Sequence, residues 1–175
     1  MGTECIIPLD GLKAGHSCHE WHLDRKFFDE FDNQEIISAD LEVSCMTDKT
    51  PNYLGVDCAI SGKVTVACDR CLADLDIPVD TVARLSVKYA DVSEPVSEET
   101  DSDREMYFIP NESSELDLRQ IVYDFVCVSM PLQKVHEDGK CDPDVEKFLS
   151  HETETDEVPD METPFASLKN LLDKN

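Results

Sequence analysis

The sequence predicts an α+β fold, with an antiparallel strand meander in the first half and one long helix and short C-terminal helices packed on it. Three observations predict it. Apolar residues alternate with polar ones from Cys5 to about Ala90, the pattern of half-buried strands. A stripe at helical spacing then runs from Glu115 to Met130 and stops at Pro131. Two acid-rich stretches with no periodicity lie on either side of that stripe. The chain has 175 residues, a length that suits one hydrophobic core, since domains commonly hold ~100–200 residues.

The elements follow in order. Phe27, Phe28 and Phe31, set between charges, fit either a short helical turn or a strand, and the sequence leaves that choice open. From Ile36 to Met46, Ile37, Ala39, Leu41, Val43 and Cys45 alternate, and Asp48 to Asn52 supplies a polar turn around Pro51. Leu54 to Val66 returns, with Val56, Cys58, Ile60, Val64 and Val66 on one parity. Leu75, Ile77 and Val79 then alternate with acids, and Val82 to Tyr89 continues the pattern. Asp91 to Glu105 holds seven acids and one base and is expected to be a loop or insertion. Ser113 and Ser114 are candidate caps for the long helix, whose stripe of Leu118, Ile121, Val122, Phe125 and Val128 is expected to face the core. His151 to Thr163 carries six acids without lysine or arginine. Thr163 and Pro164 then suit the start of a short helix presenting Phe165, Leu168, Leu171 and Leu172. The expected organisation is a single α+β domain over 1–150, with strands at about 1–90, an acidic loop at 91–112 and a helical part at 113–150. An acidic linker at 151–163 and a docking helix at 164–175 complete it.

Charge limits the function. Fifteen Lys and Arg face 39 Asp and Glu, a net charge of −24. Such a field repels phosphate and favours a basic protein as partner over broad binding to duplex nucleic acid. The plain alternative is that the acids serve solubility. The stretch from Ile121 to Met130 is interrupted by Tyr123, Asp124 and Ser129, far short of the ~20 apolar residues a spanning helix needs. The opening residues resemble no export signal, and Ile6 stands where a myristoylation motif wants Ser or Thr. A cytoplasmic location is therefore expected.

Eight cysteines in a reducing compartment are more often metal ligands or small hydrophobes than disulfides. Cys5, Cys18, Cys45, Cys58 and Cys127 lie singly and need no special role. Cys68 and Cys71 form a Cys-x-x-Cys unit between two strands, a knuckle able to aim two thiolates at one ion. His136 and Cys141, with Gly139 between them, supply two more donors beyond the helix. Together Cys68, Cys71, His136 and Cys141 make a candidate Cys3His zinc site of structural type. The bland reading is reduced, buried thiols beside an exposed histidine. A dithiol redox pair is disfavoured by the hairpin setting and by the charge of Asp69. His16, His19 and His22, three apart, would share one side of a helix, but the surrounding pattern is loop and strand, and surface histidines are the expectation.

These residues and their order resemble the bacterial YceD-type family of large ribosomal RNA subunit accumulation proteins. The likeness rests on Val66-Ala67-Cys68-Asp69-Arg70-Cys71-Leu72, on Leu116-Asp117-Leu118 followed by Met130-Pro131-Leu132, and on Val135-His136 with Cys141. It ends at Thr163-Pro164-Phe165-Ala166-Ser167-Leu168-Lys169. The resemblance implies a role in accumulating large-subunit ribosomal RNA and a working association with expression of a small, basic large-subunit ribosomal protein. It implies no catalytic residue. The chain departs from family members with further close cysteine pairs after the helix, since it has only His136 and Cys141 there.

Two classes of function remain, with a third behind them. The first is a non-enzymatic interaction protein of ribosome biogenesis, binding a basic ribosomal protein or a pre-ribosomal particle. The second is a zinc module that binds structured RNA directly, which requires Lys63, Arg70, Arg84, Lys88, Arg119, Lys134 and Lys140 to gather on one face. The third, a thiol or metal-dependent enzyme, requires an open coordination position or an exposed reactive thiol.

Overall fold

A computed structural model describes residues 5–51, 53–89 and 104–151 of the chain. Residues 91–103 of the expected loop at 91–112, the linker beyond residue 151 and the docking helix at 164–175 lie outside the described residues.

Three long strands dominate: β3 at Ile36–Thr50, β4 at Tyr53–Ala67 and β5 at Asp74–Tyr89. They follow β1 at Ile6–Pro8, β2 at Gly15–Leu23 and the short helix α1 at Arg25–Asp29. Beyond β5 come β6 at Glu105–Ile109, β7 at Glu115–Asp117, α2 at Arg119–Ser129 and α3 at Pro143–His151. A five-stranded sheet has the order β2-β3-β4-β5-β6, and β1 pairs with β7 in a separate two-stranded ribbon. Neighbours from β2 to β5 are antiparallel, whereas β6 runs parallel to β5.

Period-two patterning decides which face is buried. Leu41, Val43 and Cys45 on β3, Val56, Cys58 and Ile60 on β4, and Ile77, Val79 and Leu85 on β5 all turn to one side. The other face carries the intervening polar residues. α1 and α2 lie against the apolar face: Phe27 and Phe28 are fully buried, as are Leu118, Val122 and Val126. Burying each such side chain contributes roughly 1.5–3 kcal/mol, which outweighs the weak intrinsic stability of helices this short.

The expected fold class needs correction. The described residues are mostly β, and their helices have only 5, 11 and 9 residues. Among them no long helix packs on a meander. Residues 115–117, expected in the first helical turn, instead pair with β1, and the Leu118 N–H donates to the Cys5 carbonyl at 2.8 Å. Sheet pairing buries Leu116 completely, which a first helical turn capped by Ser113 or Ser114 would have to forgo. Pro131 ends α2 as expected, with Met130 in the extended conformation favoured before proline. Of the expected stripe, Phe125 is half-buried and Val128 is 84% exposed. Residues 105–109 of the expected acidic loop form β6, because Met106-Tyr107-Phe108-Ile109 is a run with high strand propensity. Cys45 and Cys58, read as separate thiols, face each other across β3 and β4 and are joined as a disulfide, Cα to Cα 4.1 Å.

Gly62 on β4 lies opposite Leu41 of β3. Its φ is +140°, and a Cβ there would run into the Asp40 carbonyl oxygen. Gly62→Ala is expected to destabilise the fold by at least ~1–3 kcal/mol, the usual cost of a strained backbone position, as a lower urea midpoint. An unchanged midpoint would mean the strands separate there without loss.

Asp117 joins β7 to α2. Its carboxylate accepts the Arg119 backbone N–H at 2.9 Å and pairs with the Arg119 guanidinium. The hydrogen bond from the Arg119 side chain holds its pKa below the ordinary aspartate value, against a smaller opposing effect of burial. A depressed folded pKa means that the stabilisation is present above the unfolded value of about 3.9 and disappears as pH falls through the folded value. Asp117→Asn should therefore cost about 0.2–1 kcal/mol at neutral pH, the range of exposed pairs. The difference from the parent should close once urea melts are run below the folded pKa; a gap that persists in acid would place the effect elsewhere.

Candidate metal centre

The turn between β4 and β5 forms the first half of the site. Cys68 N–H donates to the Ala73 carbonyl and Leu72 N–H to the Cys68 carbonyl, both at 2.9 Å. Leu72 takes a positive φ of 60°, which closes the turn and leaves its side chain exposed. The Arg70 N–H points at the Cys68 sulfur, 3.4 Å away. This knuckle turns both Cys68 and Cys71 inward.

A backbone clamp brings the second half to it. Asp69 N–H donates to the Lys134 carbonyl, and Lys134 N–H donates to the Asp69 carboxylate, both at 2.7 Å. His136 follows directly. Its Nε2 lies 3.1 Å from the Asp74 carbonyl, which fixes the proton on Nε2 and leaves Nδ1 free to face the sulfurs. A turn with Lys140 N–H donating to the Glu137 carbonyl, and Gly139 at φ 77°, then returns the chain at Cys141. Asp142 caps α3 by accepting the Asp144 N–H, Pro143 occupies its first turn, and Val145 packs on the cysteines.

The four donor atoms of Cys68, Cys71, His136 and Cys141 all lie within 4.8 Å of one another. Cys71 Sγ is 3.4 Å from His136 Nδ1, and Cys141 Sγ is 4.0 Å from both Cys68 Sγ and His136 Nδ1. A tetrahedral ion with ~2.3 Å sulfur and ~2.0 Å nitrogen bonds has edges of about 3.5–3.8 Å. The cluster fits that size. Cys68, Cys71 and Cys141 are buried, leaving only His136 near solvent. Burial would push the Cys68 thiol up, but the backbone N–H groups of Cys71, Arg70 and His136 together lower it to about 6. Backbone donors at Asp142 and Ala73 lower Cys71 as well, whereas burial raises Cys141 to about 11. Hydrogen bonding to Cys68 raises His136. Three thiols, two of them made more acidic by backbone donors, and an imidazole make a donor set that could hold a metal ion.

The histidines near the N-terminal end do not converge. On β2 they follow strand parity, so His16 and His22 lie on the exposed face, 3.8 Å from Asp48 and 2.8 Å from Asp40. His19 lies on the other face and stacks on Trp21. The sequence showed the cysteines and His136, but neither the Asp69–Lys134 clamp nor the Asp74 carbonyl, because each depends on a main-chain group that carries no residue signature.

Fold and site define a mostly β protein with a four-donor Cys3His cluster tying a sheet hairpin to the segment after its main helix. Residues 56–172 match the family described as large ribosomal RNA subunit accumulation protein YceD, and the chain belongs to that family. Membership ties it to accumulation of large-subunit ribosomal RNA, a description that names no catalysed reaction. No curated protein and no solved structure matches the chain. Among the described residues no helix is long and apolar enough to cross a membrane.

Proposed function

We propose that this chain is a non-enzymatic, cytoplasmic accessory factor of large-subunit biogenesis that acts by binding a basic ribosomal protein or a particle displaying one, and that one zinc ion braces its fold. Carboxylates already engage most of the cations that RNA binding would need, and this observation carries the reading. Lys63 pairs with Asp76, Arg70 with Glu146, Arg119 with Asp117 and Glu30, Lys134 with Glu35, and Lys140 with Glu137. The open face of the sheet meanwhile carries Glu20, Asp40, Glu42, Asp76 and Asp80, all exposed. Such a surface favours a basic protein and disfavours phosphate.

Zinc is the ion that three thiols and an imidazole at tetrahedral spacing suit best, and four protein donors leave no open position for catalysis. Its role would be to join the β4–β5 turn to residues 134–141 across a long stretch of chain. Elemental analysis of freshly purified protein should find about one zinc per chain. Cys71→Ser should lower zinc content and melting temperature together, and chelation should bring the parent down to the variant. Retention of full zinc by Cys71→Ser would remove that residue from the site.

The acid-rich stretches at 91–105 and 151–163 should add long-range attraction. Exchanging six acids there for Asn and Gln is expected to slow association with proteins extracted from the large subunit at low salt. The difference should fade near 1 M salt, where the Debye length falls to about 3 Å. Equal association rates for parent and variant across the salt range would reduce the acids to a solubility role.

A further inference from the structure

On the helix side of the molecule, a cleft of about 490 Å³ opens between the loop after α1 and the end of α2. Phe31 and Tyr123 form one wall, stacked at 4.2 Å with their rings 18° apart. The Tyr123 hydroxyl is held by the Asn33 amide at 3.0 Å. Met130, Pro131 and Leu132 form the other wall. Leu132 is fully exposed, so a large apolar side chain stands in solvent at the mouth of a cleft with apolar walls and a polar rim. Pro131 stiffens that lip by fixing φ.

The rim is acidic. Asp32 and Glu35 line it, and its one cation, Lys134, is already bound by Glu35 at 2.7 Å. Asp124, exposed next to Tyr123 on α2, accepts only the Gln120 amide among the described contacts. A slot walled by Phe31, Tyr123, Met130 and Leu132, with a stiff lip and a rim where two carboxylates face one lysine, suits a bulky apolar side chain flanked by positive ones.

We propose that this cleft is where the basic partner docks: one leucine- or phenylalanine-sized side chain of a lysine- or arginine-rich segment enters between Tyr123 and Leu132, with its flanking cations beside Asp32 and Glu35. The inference rests on the interaction reading above and gives it a location. Apolar contact in the slot governs how long the complex lasts, and the rim governs how fast it forms. The volume fits the proposal, since it accommodates a side chain and not a folded domain.

The test uses the full chain and a labelled synthetic peptide with one central phenylalanine among lysines, followed by fluorescence anisotropy. Parent protein should bind it, and replacing the peptide's phenylalanine with alanine should weaken binding by about tenfold, or 1.4 kcal/mol. Leu132→Lys, at a fully exposed position, should leave the melting temperature unchanged and cause a similar loss. Asp32→Asn should mainly slow association at low salt. Both variants binding like the parent, or no binding by the parent, would overturn the cleft assignment. So would tighter peptide binding after removal of residues 164–175, which would make the chain's own end the occupant. Self-association of the parent that Leu132→Lys abolishes would assign the slot to a second copy and also overturn the proposal. Proteins extracted from the large subunit separate the two levels. If they bind parent and Leu132→Lys equally, only the cleft assignment fails; if they bind neither, the interaction reading fails with it.

Discussion

Three neighbouring strands of 15 or 16 residues share a single apolar face, and covering that face governs the arrangement of the rest of the chain. A sheet buried on one side alternates, and β3, β4 and β5 do so along most of their length, apart from the irregularity between Ile36 and Ser38 and the buried Gly55 and Ser86. The cover must come from outside the sheet. α1 supplies Phe27 and Phe28, α2 supplies Leu118, Val122 and Val126, and the β1–β7 ribbon supplies Ile7 and Leu116. None of these pieces is long enough to be stable alone. Each is ordered by the surface it covers.

Once α2 lies on β4 and β5, the segment that follows is brought beside the β4–β5 turn. The Asp69–Lys134 clamp, joining residues 65 apart in sequence, then sets His136 and Cys141 against Cys68 and Cys71. The cluster thus depends on the sheet cover. A bound ion would strengthen the same connection from the other direction, since its ligands belong to the two parts that the apolar contact already joins. The cleft has the same origin, because it lies where the end of α2 meets the loop that follows α1.

Electrostatics adds a second constraint. With 39 acids and 15 bases, most cations are spent internally: the described ion pairs tie Arg119 to the β7–α2 junction, Arg70 to α3 and Lys134 to the loop before β3. Exposed pairs of this kind contribute little stability individually. Their larger effect is to remove positive charge from the surface, so that what faces solvent is acidic on both the open sheet face and the cleft rim.

By itself the sequence determined the features that depend on residue type and short-range period. These are the buried parity of β3, β4 and β5, the end of α2 at Pro131, the identity of the four metal-donor candidates and the sign of the surface. Such features follow from side-chain chemistry and from geometry repeated every two or four residues. The tertiary structure decided everything that depends on competition for distant partners. Residues 115–117 could begin a helix or pair as a strand, and only the presence of β1 tipped them into β7. Residues 105–109 became a parallel edge because β5 offered an unpaired side. Cys45 and Cys58 met because the hairpin register set them opposite each other. His136 presents Nδ1 because the Asp74 carbonyl occupies Nε2. Except for the Cys45–Cys58 pair, which lies 13 residues apart in one hairpin, the deciding group is far away in the chain, and local pattern carries no record of it.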